Sequence, residues 1–229
     1  MGEMAAAIAH EINQPLAAII TESESCLRWL AQCPPNLGEV QEAVNCIISD
    51  ASRASDVIKR IRMLLNKEAP AQLSLNIDET IREVLALMRG LLEIHDVSLV
   101  AELSAGDRPV IGDRVLLQQV VQNLIINAVE AMIPVTDRPR ELLVRTRHDG
   151  SSDVRVAVQD TGIGLDPKDG DRVFDAFFTS KRDGMGMGLS ICRSIIDAHG
   201  GHIWASAASP HGALFQFTLP AEIASADDR

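Results

Sequence analysis

From residue 44 to residue 65, apolar side chains recur at alternating steps of three and four: Val44, Ile47, Ala51, Ala54, Ile58, Ile61 and Leu65. That spacing is a heptad seam, and it commits the segment to a long helix with one stripe that must be covered. A second helical pattern precedes it. At about 100° per residue, Met1, Ile8, Leu16, Ile19 and Leu30 fall within roughly 40° of the line through Ile12. Between the two lies the breaker-rich run Cys33-Pro34-Pro35-Asn36-Leu37-Gly38. The reading is two helices, 1–31 and 39–68, folded into an antiparallel hairpin. One hairpin is too small to bury both stripes. Two hairpins joined as a dimeric four-helix bundle would do so. The alternative is that the hairpin packs on the rest of its own chain.

Ala69-Pro70-Ala71 marks a linker, taken as 69–72 after a hairpin domain at 1–68. From 73 to 221 the pattern is mixed α/β. Strands are expected at 73–77 and 97–103, with a helix at 78–93 between them. Asp113 is a good N-cap for a helix running to Met132. Residues 141–147 and 153–159 alternate as paired strands around Asp149-Gly150. A glycine-rich stretch, 160–188, leads into a helix ending near His199, and strands at 202–207 and 213–219 close the domain. Residues 222–229 read as a frayed acidic tail.

The formal net charge of −11 leaves no basic patch to neutralise a nucleic-acid backbone or an anionic membrane surface. Cys26, Cys33, Cys46 and Cys192 have neither C-x-x-C nor zinc spacing and read as reduced thiols of a cytoplasmic protein. No apolar run reaches the roughly 20 residues of a membrane span, and no secretory leader is evident. Because the helical pattern is present from the first residues, the chain reads as a piece of a longer protein.

Four places carry chemistry. His10 lies roughly 160° from the apolar line of its helix, so it faces water. With Glu11 beside it, the imidazole is either a nucleophile with a carboxylate to take its proton or a solvated surface histidine. Pro15 removes a helical hydrogen bond just beyond it. Asp160-Thr161-Gly162-Ile163-Gly164 leaves a strand and enters a loop. Either it is an ordinary turn, or the carboxylate accepts from an adenine amino group while glycines let the backbone approach the base. Gly184-Met185-Gly186-Met187-Gly188-Leu189 runs into a helix whose free N–H groups suit phosphates, although it is neither a dinucleotide fingerprint nor a P-loop. Asn123 and Asn127 stand four apart on one helix face. They suit a magnesium ion with phosphates, or form a solvated amide pair.

In order and spacing these segments resemble the sensor histidine kinases of two-component systems. His10 to Leu16 resembles the phospho-acceptor box, and Gln122 to Met132 the asparagine box. Asp160 to Gly164 and Gly184 to Gly188 resemble the two glycine boxes, and Phe174-Asp175-Ala176-Phe177-Phe178 the phenylalanine box. The nearest similarity is to soluble oxygen- and light-sensing kinases.

The resemblance implies a Bergerat-fold (GHKL) α/β sandwich with a mixed sheet after the helical bundle, and a lid at about 165–187. It implies ATP and Mg²⁺ as cofactors. Asp160, Gly162 and Gly164 would hold adenine, and Asn127 would ligate the metal with Asn123 beside it. Gly184, Gly186, Gly188 and Leu189 would close over the phosphates, and Lys181 either touches a phosphate or stays solvated. Phe174 and Phe177 would pack the base of the lid. His10 would take the γ-phosphoryl group, with Glu11 as base, and pass it to an aspartate of a response-regulator receiver domain. Gln14 stands where many relatives have Thr or Asn to align water for dephosphorylation. The rivals are an ATPase or chaperone-like protein of the same fold, a serine/threonine kinase of that fold and a non-catalytic dimeric adaptor. Against the hydrolases, Asn123 occupies the position where they carry a water-activating glutamate, and an amide cannot act as that base.

Overall fold

The computed structural model describes residues 2–65, 73–106, 108–150, 152–176, 178–179 and 186–222. Side chains are described for all of these except 2–12, 52–53, 55–65 and 167. The chain divides into two compact units, Met1–Lys67 and Glu68–Arg229.

The first unit is a pair of packed helices, α1 (Gly2–Leu30) and α2 (Leu37–Leu65). Helix α1 runs through Pro15 without ending, as one continuous helix over this stretch requires. Among the described side chains of the hairpin, Pro15, Cys26, Ala43 and Ala54 are buried. The heptad seam of α2 is only partly used. Ile47 is half-buried, while Val44 and Ala51 are exposed and the off-seam Ala43 is covered. A helix serving two neighbours needs a stripe broader than a two-helix seam, and one neighbour covers only part of it. Leu16, Ile20, Leu27 and Leu30 on α1, with Leu37, Val44 and Ile48 on α2, remain exposed within this unit.

The second unit is built on a five-stranded mixed sheet in the order β2-β4-β5-β7-β6. Its strands are β2 (Val97–Leu103), β4 (Arg140–Asp149), β5 (Asp153–Asp160), β6 (His202–Ala207) and β7 (Ala213–Pro220). Among the described residues, only β2 and β4 pair in parallel. Short strands β1 (Leu73–Leu75) and β3 (Val110–Gly112) form a separate antiparallel pair. Helices α3 (Ile77–Ile94), α4 (Arg114–Met132) and α5 (Gly188–Ala198) supply the second layer, with α4 packed against both of the others. Alternation decides which side chains go inward: Val154, Val156, Val158 and Asp160 on β5 are buried, and Phe215, Phe217 and Leu219 meet the same core from β7. Asp160 is therefore the last inward position of a core strand.

Helix α4 is long and apolar enough by length and composition to cross a membrane, although Gln118, Gln119, Gln122 and Asn123 keep it from being an unbroken apolar run. Its Leu117, Val120, Val121, Leu124, Ile125 and Met132 are fully buried among the unit's other elements, as a central core helix requires. Asp113 caps it by accepting from Val115 and Leu116 N–H. His199 joins α5 to this cap: Nε2 accepts from Asp113 N–H at 2.9 Å, so Nδ1 carries the proton donated to the Ile195 carbonyl. Arg140 donates to the carbonyls of His95, Ile133 and Val135, which satisfies the exits of α3 and α4 together. The expected linker at 69–72 lies outside the described residues, as do 223–229. Glu222 is not frayed: its N–H donates to Pro109 and its carboxylate accepts from Ser74.

A buried carboxylate fixes the far end of this unit. Asp78 accepts from Thr146 Oγ1 at 2.6 Å and from Ala105 N–H at 3.1 Å, and Thr146 Oγ1 in turn accepts from Ser104 N–H. Asp78→Ala leaves a hydroxyl and an amide unpaired in the core. Urea unfolding of the whole chain should show a loss of about 3 kcal/mol, with Asp78→Asn intermediate.

Candidate active site

The site begins where β5 runs out. Asp160 is 1% exposed, and its Oδ1 accepts from Gly162 N–H at 2.8 Å and Ala213 N–H at 3.2 Å. Burial pushes this carboxyl up from its ordinary value, and the two backbone donors pull it part of the way back. Oδ1 is committed to the loop, which leaves Oδ2 to accept from a ligand. The loop's shape needs its glycines. A Cβ on Gly162 would stand 2.7 Å from the Ala131 carbonyl oxygen, and Gly164 has a φ of +82°. Gly212, which the sequence reading passed over, is required more strictly: a Cβ there would fall 1.8 Å from the Asp160 carbonyl oxygen. Thr161 Oγ1 donates to the Pro139 carbonyl and accepts from Glu141 N–H. Ile163 N–H donates to the Ala131 carbonyl at 3.1 Å, which seats the loop on the C-terminal turn of α4. Arg138 grips the same loop and was also passed over.

Asn123 and Asn127 project from α4 half-buried, between the buried positions Leu124, Ile125 and Ala128. Asn123 stands beside the fully buried Cys192 of α5, whose thiol burial pushes up to about 12, with the Asn123 side chain pulling part of the way back. The Cys192 Sγ donates to the Val120 carbonyl at 3.9 Å. Gly186, with φ +61°, precedes α5, and Gly188 opens it. A Cβ on Gly188 would enter open space, so packing does not require glycine there. Among the described residues no side chain caps this helix start; Met187 is buried and Leu189 half-buried beside it.

Phe174 is 2% exposed, edge-on to Phe215 at 6.3 Å and under the Arg193 guanidinium at 4.8 Å, so it packs the domain. Phe177, Lys181 and Gly184 lie outside the described residues. His10 and Glu11 are in α1, but their side chains lie outside them too. Gln14, one turn further on, is exposed. The second unit thus brings Asp160, Gly162 and Gly164 into one loop at the end of α4, the helix that carries both asparagines.

These residues suit a nucleotide: one committed carboxylate with a remaining acceptor, glycines that leave room, and an uncapped helix start. Among the described residues no group of three or more His, Cys, Asp or Glu side chains could hold a metal. A metal here would rest on amide oxygen, phosphate and water, a donor set that Mg²⁺ accepts.

Comparison with known proteins decides the family. Residues 1–70 match the His Kinase A (phospho-acceptor) domain, and residues 112–223 match the histidine kinase-, DNA gyrase B- and HSP90-like ATPase domain. The catalytic domain of histidine kinase ThkA is 34% identical, with a TM-score of 0.57 over 65% of this chain and 96% of that one. The chain belongs to the sensor histidine kinase family. Sensor histidine kinase TmoS of Ectopseudomonas mendocina is 38% identical over 96% of this chain. Sensor protein FixL of Bradyrhizobium diazoefficiens is 41% identical over the same share. The chain spans 23% and 44% of those two proteins. ThkA in complex with response regulator protein TrrA superimposes over 96% of this histidine kinase chain and 62% of that one, at a TM-score of 0.74 and 29% identity.

Proposed function

We propose that this chain is the autophosphorylating core of a two-component sensor. It binds ATP in its second unit, transfers the γ-phosphoryl group to His10, and passes it to an aspartate of a response-regulator receiver domain. The observation that carries this reading is the series of a phospho-acceptor helix and an ATPase domain whose adenine loop, asparagine helix and glycine-opened helix meet the chemistry of a nucleotide.

Each residue has a defined task in the transfer. Asp160 Oδ2 accepts from the adenine amino group, and Gly162 and Gly164 leave room for the base. The start of α5, with Gly186, Gly188 and Leu189, faces the phosphates. Gly184 and Lys181 lie outside the described residues; the resemblance gives Gly184 a part in closing over the phosphates and leaves Lys181 either on a phosphate or solvated. Asn127 supplies an amide oxygen to Mg²⁺, which when bound neutralises phosphate charge. One ring nitrogen of His10 attacks phosphorus in line as the bond to the ADP oxygen breaks. Glu11 takes the proton from the other ring nitrogen. Positioning and charge do most of this work, since phosphoryl transfer needs little covalent help. Asn123 offers no base for water, which disfavours the hydrolase reading.

The exposed stripe Leu16, Ile20, Leu27, Val44 and Ile48 supports a homodimer through the hairpin, since a second copy covers what one hairpin leaves bare. We place the chain in the cytoplasm, downstream of a sensory domain.

The test is incubation with γ-labelled ATP and magnesium followed by mapping of the labelled residue. An acid-labile label at His10 is expected. Multiple-turnover hydrolysis with no labelled protein would favour the ATPase reading, and absence of ATP binding the adaptor. Dephosphorylation has its own test. If Gln14 orients the attacking water, Gln14→Ala should slow loss of phosphate from a phosphorylated regulator roughly tenfold more than it slows autophosphorylation. Equal slowing of both would remove Gln14 from that role.

A further inference from the structure

Arg138 sits in the connection between α4 and β4, with its side chain 25% exposed. Its Nε donates to the Thr161 carbonyl at 2.9 Å and its Nη2 to the Gly162 carbonyl at 2.8 Å. Nη1 lies 3.3 Å from Asp137 Oδ1. One edge of a planar guanidinium thus holds two successive main-chain carbonyls, which a lysine ammonium cannot reproduce.

The consequence follows from peptide geometry. In a trans peptide the C=O and the next N–H point in opposite directions. The plane that gives its Thr161 carbonyl to Arg138 gives its other end, Gly162 N–H, to Asp160 Oδ1. The next plane gives its Gly162 carbonyl to Arg138 and its other end, Ile163 N–H, to the Ala131 carbonyl on α4. Both planes are pinned at both ends, and Arg138 is the side chain at one end of each. Without it either plane can rotate, and rotation of the first withdraws Gly162 N–H from Asp160. Oδ1 would then compete with Oδ2 for any incoming donor.

We infer that Arg138 is a positioning residue for base selection: its guanidinium holds the 161–162 and 162–163 peptides so that Asp160 offers one oriented oxygen to a purine 6-amino group. This rests on the reading that Asp160 receives the adenine amino group. Arg138 itself touches no substrate.

The experiment compares binding of ATP and of inosine triphosphate, which carries a 6-oxo group instead of the amine, to the whole chain by calorimetry. The wild type should prefer ATP. Arg138→Ala should weaken ATP about tenfold and leave inosine triphosphate nearly unchanged, so that the preference shrinks by the same factor. Arg138→Lys should not restore it, because one ammonium cannot hold both carbonyls. An equal loss for both nucleotides would reduce Arg138 to a merely structural role and overturn the inference, as would unchanged ATP affinity. If Arg138→Ala does not fold, Arg138→Gln, which retains an amide donor, is judged by the same ratio. Asp160→Asn separates the two claims. Loss of ATP preference there but not in the Arg138 variants refutes this inference alone. An undiminished preference in Asp160→Asn refutes the adenine reading on which it stands.

Discussion

Replacing His10 by alanine is expected to abolish labelling of the protein by γ-labelled ATP while leaving the affinity for ATP unchanged. The effect is all or none because the phosphoryl group has one acceptor in this scheme. Nucleotide binding belongs to the second compact unit, Glu68–Arg229, and His10 to the first. The variant changes nothing in the loop held by Asp160, in the asparagine face of α4 or at the start of α5. Water is not expected to take over as acceptor. The half-buried Asn123 is an amide, which cannot draw a proton from water. His10→Ala should therefore hold ATP without turning it over, and titration calorimetry beside a labelling assay reads both halves. Retained labelling would move the acceptor elsewhere on the chain. Rapid hydrolysis would show that Asn123 does not restrain water.

Long periodic segments were legible. The α4 cap at Asp113, the strand Val97–Leu103 and the hairpin of β4 and β5 lie where spacing and turn chemistry put them. Strand β3 was not, because three residues carry no period and Pro109 masks its start; it exists through pairing with β1. The covered face of α2 was read only in part, since a heptad seam says that a stripe must be buried but not which neighbour covers each position. The glycine loop was visible as a motif, because the residues that shape it are neighbours in sequence. What holds it was not. Gly212 meets Asp160 across 52 positions, and Arg138 reaches Thr161 across 23. A glycine before a strand and an arginine in a loop look alike whether they brace a site or face water. Arg138 differs from an ordinary surface cation in giving its hydrogen bonds to main-chain carbonyls, a choice made by the folded backbone.

Asp160→Asn should separate stability from binding. The asparagine carbonyl can accept from Gly162 and Ala213 N–H as Oδ1 does now, so the loop is retained. Its amino group then stands where Oδ2 stood and opposes a second donor. Losing a hydrogen bond to a charged group and gaining a donor–donor contact should weaken ATP about 100-fold. Stability should move the other way. Burial raises the folded-state pKa of Asp160 above its ordinary value. A carboxyl so shifted contributes its stability below the ordinary value and loses it as pH rises through the raised one. At neutral pH the wild type bears the cost of a buried ionised group, and asparagine does not. The variant should melt at the same temperature as the wild type or higher at neutral pH, and the gap should close as pH falls through the carboxylate range. ATP affinity of the wild type should run opposite to stability, rising with pH over that window, because the adenine amine favours the ionised form. Melting and calorimetry on both proteins from about pH 4 to about pH 8 would show this. A variant that binds ATP as the wild type does would leave the buried carboxylate as a loop staple with no part in recognising the base.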